Sequence, residues 1–185
     1  GWGRSGRMFA SQYFAEAGCA PDIMTTAKSI AAGMPISAVT ARAEIMDKVA
    51  PGTIGGTFGA NAMSAAAALK VIEIMERDDY PGKALHIAEK VRTAFDAWVD
   101  KYEVVGNVRG TGAMMGIEFV TDKETKTPNA AIVSAIVQEA MNNGLMLEAA
   151  GTYGNVIRFL CPLCATDAQL EAGIEIFENA LKACM

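Results

Sequence analysis

The 185-residue sequence is poor in several features that would assign a protein to a functional class directly. It contains a single histidine, His86, which argues against a metal site built from histidine ligands. It has no run of 18 apolar residues, so no membrane-spanning helix is predicted. Its formal charge is −5, from 16 basic and 21 acidic residues, and this lacks the positive excess of nucleic-acid-binding proteins.

Cysteine is also scarce. Four cysteines in a chain of this length are too few for a disulfide scaffold, and free thiols are typical of the reducing cytoplasm. No basic segment followed by an apolar stretch marks a signal peptide. We therefore expect a cytoplasmic protein. With 51% hydrophobic and 20% charged residues, the composition predicts a globular chain that buries a large core without cross-links.

The order of the hydrophobic patterns divides the chain into two parts. Residues 1–75 mix short strands, glycine-rich loops and helices. Residues 76–185 alternate helices with short strands that form one small sheet, which is an α+β arrangement. A long helix that begins near Asn61 is the predicted joint between the two parts.

Two short motifs carry weak functional signals. The opening GWGRSG matches G-x-G-x-x-G, but the dinucleotide fingerprint also needs a preceding strand and a following helix, so a mobile surface loop is favoured. Cys161 and Cys164 form a C-x-x-C before the last helix. Because a capping box of Thr166 and Gln169 starts that helix beyond both cysteines, two inert thiols are favoured over a redox pair.

Lys28 and Thr57 are more informative. Lys28 lies between a strand candidate, IMTT, and the turn AAGMP, where partial desolvation would favour the neutral amine that attacks carbonyls. A surface lysine after a strand is the simpler alternative. Thr57 lies in GGTFGAN, where glycines, a hydroxyl and free backbone N–H groups before a helix form either a phosphate site or an ordinary connection.

Two arginines are candidates for binding carboxylates. Arg158 lies in the strand candidate VIRFL, where its charge needs a partner. A substrate carboxylate held in a bidentate manner, and an internal ion pair with Glu118 or another carboxylate, are both consistent with this pattern. Arg109 raises the same question, but the glycines around it, in a segment at 106–112 predicted to be turn-rich, favour a structural turn arginine.

Five segments of the chain resemble class-III aminotransferases, the ω-amino acid branch of fold-type-I pyridoxal-phosphate (PLP) enzymes. They follow the family's order and span essentially the whole chain: GWGRSGRMFA, PDIMTTAKSIAAGMPISAV, GGTFGANAMSAAAAL, NVRGTGAMMGIEF and NVIRFLCPL. The resemblance is closest to 4-aminobutyrate-type enzymes. It implies an α/β fold, with the C-terminal part of the PLP-binding large domain and a linking helix at 1–75, followed by an α+β small domain at 76–185.

The same resemblance implies a role for each candidate residue. Lys28 would bind PLP covalently and move a proton between the substrate and the cofactor. Thr57 would hydrogen-bond the phosphate of the PLP bound mainly to the neighbouring subunit of a homodimer or larger homo-oligomer. Arg158 would bind a carboxylate of the amino donor, of the 2-oxo acid acceptor, or of both. No metal, nucleic acid or membrane partner is expected.

The sequence also departs from the family. Ala60 and Ala62 stand where the family usually has glycine and proline, and Cys161 replaces a usual proline. The family's aspartate at the pyridine nitrogen and its phosphate-binding loop precede the segment that resembles the start of this chain. The resemblance therefore implies a C-terminal portion, inactive by itself, whose partial sheet exposes apolar side chains and favours self-association or partial disorder within residues 1–75.

Three alternatives stay open at this point. A PLP-dependent aminomutase or decarboxylase-like relative of the same fold shares Lys28 and Thr57, although Arg158 favours a 2-oxo acid acceptor. The chain is alternatively a catalytically inactive module that acts in assembly or regulation. The third alternative is a thiol-redox module built on Cys161 and Cys164.

Overall fold

The computed structural model describes residues 1–185, which group into two compact units. The first unit comprises Gly1–Gly3 and Arg7–Tyr80, and the second comprises Arg4–Gly6 and Pro81–Met185. Each unit has its own core and is described by itself below. None of the helices combines the length and the apolar composition that crossing a bilayer requires.

The first unit contains a small sheet whose two strands are both open to solvent. Strands β1 (Ile23–Thr26) and β2 (Ala38–Ala41) pair antiparallel, and none of their residues is buried. The prediction that residues 1–75 expose apolar side chains is confirmed, since Ile23 and Val39 are among the exposed ones. The other elements of the unit are α1 (Ser11–Glu16), a 3₁₀ helix (Lys28–Ala31), α2 (Ala43–Met46) and α3 (Ala62–Arg77).

Helix α3 begins directly after Asn61, close to where the sequence predicts it. The Asn61 side chain accepts hydrogen bonds from Met63 N at 3.0 Å and Ser64 N at 3.2 Å, which satisfies two backbone donors of the first turn. The alanine-rich helix packs closely against the 3₁₀ helix. A small core joins the two elements: Ile30, Ala31 and Ala68. This packing fixes the turn that begins at Lys28.

The second unit is a five-stranded antiparallel sheet with three helices. Its central strand β4 pairs with β3, β5 and β7, and β7 pairs with β6, which is an edge strand. The elements, in chain order, are α4 (Tyr80–Lys101), β3 (Val105–Thr111), β4 (Met114–Asp122), β5 (Thr127–Pro128), α5 (Ala130–Asn142), β6 (Glu148–Ala150), β7 (Val156–Phe159) and α6 (Asp167–Ala183).

Aromatic residues of α4 and α6 form much of the core of the second unit. Phe95 and Trp98 have ring centroids 5.0 Å apart, and the Phe177 centroid lies 5.0 Å from that of Trp98. Phe159 of β7 packs edge-on against Phe95, with centroids 5.5 Å apart. Edge-to-face geometry of this kind stabilises a core beyond the burial of area, and it ties β7 to α4.

The segment at 106–112 is mostly strand, which corrects the prediction of a turn-rich connection. Strand β3 continues to Thr111, and the turn follows at Gly112. The glycine at 106 serves close packing, because a Cβ there would lie 2.8 Å from Cγ1 of Val120 on the neighbouring strand. Glycine in this segment therefore marks a close approach between strands.

Candidate active site

Lys28 is the first residue of the 3₁₀ helix that follows β1. Its backbone lies in the left-handed region, with φ of 58°, which costs a non-glycine residue about 1–2 kcal/mol. Ile30 and Ala31 of the same turn are buried, whereas Lys28 is exposed and forms no ion pair. The prediction that the Lys28 amine is partly desolvated is therefore wrong for this chain, because only the last two residues of the turn are buried in the core of the first unit.

Thr57 lies in the glycine-rich segment 53–60, all of which is exposed. Within it, Gly59 N donates to Gly56 O at 2.8 Å and closes a turn. The segment leads into the N-terminus of the 16-residue helix α3, where the helix dipole favours an anion and the Asn61 side chain already accepts from Met63 N and Ser64 N. Because α3 also packs on the 3₁₀ helix, the segment of Thr57 leads into a helix that contacts the turn of Lys28.

Arg158 lies in β7 of the second unit, opposite Gly116 on one side and Glu148 on the other. Its Nη2 donates to Glu148 Oε2, so the internal partner expected as one alternative exists and is Glu148. The Arg158 side chain is 38% exposed, yet its Nε is buried without a hydrogen-bond partner. One edge of the guanidinium is therefore unsatisfied, and a buried unsatisfied donor is costly.

Arg109 is a strand residue in β3, which corrects its interpretation as a turn arginine. It lies opposite Gly116 across the β3–β4 pair, and its Nη1 donates to Glu118 Oε2. The extended backbone of β3, rather than a turn, thus orients the Arg109 side chain. Since Glu118 pairs with Arg109, the carboxylate beside Arg158 comes from β6 instead.

Arg4 anchors the opening glycine-rich segment, which corrects the prediction of a mobile surface loop. Its Nη1 donates to Ala113 O at 3.0 Å and to Cys161 O at 2.7 Å, while Ala113 N donates to Arg4 O at 2.8 Å. Burial of this guanidinium lowers the pKa of Arg4, although the side chain stays cationic. The contact joins the β3–β4 turn to the chain that leaves β7, and no local pattern in the sequence signals it.

A cavity of about 640 Å³ lies in the second unit, and sequence reasoning missed it. Residues of β6, β7, the segment 160–165 and α6 line it. Arg158 and Glu148 are its only charged lining residues, and most of the others are apolar. The structure therefore places Arg158, the candidate residue for binding a carboxylate, at the wall of a largely apolar cavity.

The two cysteines of the C-x-x-C line the same cavity as free thiols. Burial raises the pKa of the Cys161 thiol, and the nearby Arg4 guanidinium opposes this shift only in part. A thiol with a raised pKa is mostly protonated at neutral pH and a poor nucleophile. This favours the interpretation of Cys161 and Cys164 as inert thiols over a redox pair.

Both residues that depart from the family pattern around the start of α3, Ala60 and Ala62, are expected to reduce stability. Ala60 has φ of 58°, so Ala60→Gly should stabilise the first unit by about 1 kcal/mol. Ala62 is the first residue of α3 after Asn61, whose extended backbone (φ −65°, ψ 107°) suits a following proline. Ala62→Pro should therefore raise the stability of the first unit by about 0.5 kcal/mol.

Urea denaturation followed by circular dichroism measures both changes. Ala66→Gly, at an exposed position inside α3, is the matched control and should destabilise by about 1 kcal/mol. If Ala60→Gly lowers the stability as Ala66→Gly does, the left-handed backbone at residue 60 is refuted.

Comparison with known proteins identifies the family. The family model described as Aminotransferase class-III matches residues 1–181. The chain is 44% identical over 179 residues to a 5-aminovalerate aminotransferase from Pseudomonas putida, and 43% identical over 179 residues to a 4-aminobutyrate aminotransferase from Escherichia coli. These alignments cover 97% of the chain but 41% of each relative. The chain thus spans about two fifths of the length of these relatives.

Solved structures agree. An amine transaminase from an uncultivated Pseudomonas species, in a PLP-bound form, superposes with a TM-score of 0.87 at 33% identity, over 100% of this chain and 43% of that one. A Bacillus anthracis aminotransferase gives 0.87 at 28% identity, over 99% and 43%. The α/β fold of part of a fold-type-I transferase, expected from the resemblance, is confirmed. The chain belongs to the aminotransferase class-III family.

Proposed function

We propose that this chain is the C-terminal part of a PLP-dependent aminotransferase that moves an amino group from an ω-amino acid, such as 4-aminobutyrate, to a 2-oxo acid. The names of the curated relatives, 4-aminobutyrate and 5-aminovalerate aminotransferases, support the class of donor. The observation that carries the proposal is Lys28, an exposed amine without an ion pair on a left-handed backbone.

The residues of the first unit fit PLP as the cofactor. One solved relative is described in a PLP-bound form, and another, an ω-transaminase from Pseudomonas jessenii, in complex with PMP. Here, Lys28 offers a primary amine that no carboxylate neutralises, and the exposed segment around Thr57 offers backbone and hydroxyl donors before α3. When bound, PLP supplies an electron sink for the carbon that loses a proton.

Each candidate residue then has a defined task. Lys28 would hold the cofactor, and its Nζ would move the proton as general base and acid. The Thr57 hydroxyl would hydrogen-bond the phosphate of the cofactor held mainly by the partner subunit. Arg158 binds a substrate carboxylate through Nη2 and the unsatisfied Nε, and so fixes the orientation of the reacting carbon.

The two parts of the chain have different tasks in this proposal. Residues 1–75 complete the PLP-binding large domain, and residues 76–185 form the small domain that carries Arg158. Exposed apolar residues of the first unit, which include Phe58, Met63 and Leu69, support a homodimer or larger homo-oligomer of the whole protein. Because the chain spans about two fifths of its relatives, we expect no useful transamination from it alone.

Reductive labelling tests the central role of Lys28. The whole protein that contains this chain is incubated with an equimolar amount of PLP, reduced with borohydride and mapped by peptide mass spectrometry. We expect the pyridoxyl group mainly on Lys28, and its loss from that peptide in Lys28→Arg. Lys48→Arg, at another exposed lysine of the first unit, is the control and should leave the Lys28 label unchanged. Equal labelling of Lys28 and Lys48 would contradict the proposal.

A further inference from the structure

Helix α5 is followed directly by the only Asn-Gly pair in the chain, Asn143–Gly144. Asparagine is chemically labile in this context, because glycine has no side chain to keep the following backbone nitrogen away from the side-chain amide. Both residues are exposed. We propose that Asn143 is a site of deamidation, that hydrogen bonds to Glu139 slow the reaction, and that the modification opens the last turn of α5.

The reaction needs water as its only co-reactant. The deprotonated backbone nitrogen of Gly144 forms a bond to Cγ of Asn143, and the side-chain nitrogen leaves as ammonia. Water then opens the resulting cyclic imide at one of its two carbonyls, which gives either aspartate or isoaspartate. One amide and one water thus become a carboxylate and an ammonium ion, and the isoaspartate form lengthens the main chain by one carbon.

Hydrogen bonds at the end of α5 engage both reacting groups. Nδ2 of Asn143, the group that must leave, donates to Glu139 O at 2.8 Å and to Glu139 Oε1 at 2.9 Å. The attacking nitrogen, that of Gly144, donates to Met141 O at 3.1 Å. The φ of 88° at Gly144 is the left-handed conformation that closes a helix end. The reaction therefore waits for local opening of this turn, and helix ends open readily.

The product no longer suits the end of the helix. A carboxylate at position 143 faces the Glu139 carboxylate, to which the amide donated, and it stands at the negative end of the helix dipole. The longer main chain of the isoaspartate form breaks the bond from Leu145 N to Ala140 O, which is 2.9 Å long and closes the turn. Because Leu145 lines the cavity of the second unit, the change reaches the cavity wall.

Incubation of the whole protein that contains this chain in warm, mildly alkaline buffer tests the site, with peptide mass spectrometry as the readout. Acid should accumulate at Asn143 and not at Asn179, an exposed asparagine of α6 that is followed by alanine. A synthetic peptide of residues 139–148, too short for a stable helix, should react at least about tenfold faster. Modification of Asn143 no faster than that of Asn179 overturns the site, and equal rates in protein and peptide overturn the protection.

Variants of Glu139 test the protective contact in the same assay. Glu139→Ala removes the carboxylate acceptor and should speed deamidation about fivefold, which corresponds to the loss of one hydrogen bond. Glu139→Gln keeps an oxygen acceptor at this position and is the matched control, with a change of less than about twofold. An unchanged rate in Glu139→Ala overturns the role of Glu139.

Hydrogen exchange at the Leu145 amide tests the opening of the turn without waiting for the chemistry. Asn143→Asp should speed this exchange about tenfold at neutral pH, because both contacts to Glu139 are lost. Asn142→Asp adds the same charge at the same helix end but keeps an acceptor for Gln138 Nε2, which donates to Asn142 Oδ1 at 3.0 Å. This control should change the exchange by less than about twofold. Equal acceleration in the two variants overturns the link to Glu139, and unchanged exchange in Asn143→Asp overturns the opening of the turn.

Discussion

Replacing Gly112 by alanine is expected to destabilise the second unit by at least about 3 kcal/mol. Gly112 has φ of 56° at the turn between β3 and β4, and an added Cβ would lie 2.3 Å from Arg4 O and 2.6 Å from Ser5 C. These are backbone atoms that cannot rotate away. The substitution therefore adds left-handed strain to a steric clash and displaces the segment that Arg4 anchors.

Urea denaturation in a Trp2→Phe background, with Trp98 fluorescence as the probe, reports on the second unit. Gly154→Ala is the matched control, because Gly154 has a similar φ of 65° but an added Cβ would meet only Ala130 Cβ, at 3.6 Å. That control should cost about 1 kcal/mol, from backbone strain alone. Equal losses at the two positions would show that the approach of Arg4 to the turn does not matter.

Acidification is expected to remove about 2 kcal/mol from the stability of the second unit through Glu178. Hydrogen bonds from Lys101 Nζ and Tyr102 Oη, each at 2.7 Å, lower the pKa of Glu178 from 4.5 to about 2, and Lys182 adds to the shift. The unfolded chain therefore binds a proton at pH 4 that the folded chain does not. Stability from this group is full above about pH 4.5 and is lost as the pH falls towards 2.

The measurement is the free energy of unfolding between pH 6 and pH 2.5, compared with Glu178→Gln. The variant should have a lower free energy of unfolding at pH 6. Its free energy of unfolding should also fall much less between pH 6 and pH 2.5, because the variant carries no titrating group at this position. Glu171→Gln, which removes an exposed carboxylate 3.4 Å from Lys90, is the control and should keep the decline. An unchanged slope in Glu178→Gln would refute the role of the Lys101–Tyr102 contacts.

Local signals in the sequence predict much of the fold. The capping box is present, since Gln169 N donates to Thr166 Oγ1 at 3.3 Å and Thr166 N donates to Gln169 Oε1 at 3.0 Å, and α6 begins there. The helix that follows Asn61 is another example. Such signals act within a few residues, so no tertiary contact has to be known. Prediction fails at Gly106, because the reason for that glycine is Val120 on another strand.

The candidate site could be predicted in its residue types but not in its contacts. The sequence singles out Arg158, yet its partner is fixed by the pairing of β6 with β7, which places Glu148 opposite it. The cavity depends on α6 and the segment 160–165 closing over the sheet edge, and no periodic pattern encodes that. The position of Lys28 after β1 is predicted from the sequence. Its exposure is not, because exposure depends on which residues of the turn are buried in the core.

The anchoring of Arg4 has a practical consequence for anyone who dissects this protein. A recombinant piece cut at the apparent boundary, from Pro81 onward, would discard three residues that fold with it. The carbonyls of Ala113 and Cys161 would lose the guanidinium of Arg4 as their donor. The turn at Gly112 would lose its packing against the backbone of Arg4 and Ser5. A peptide spanning residues 1–7, added back in trans, should restore part of the lost thermal stability.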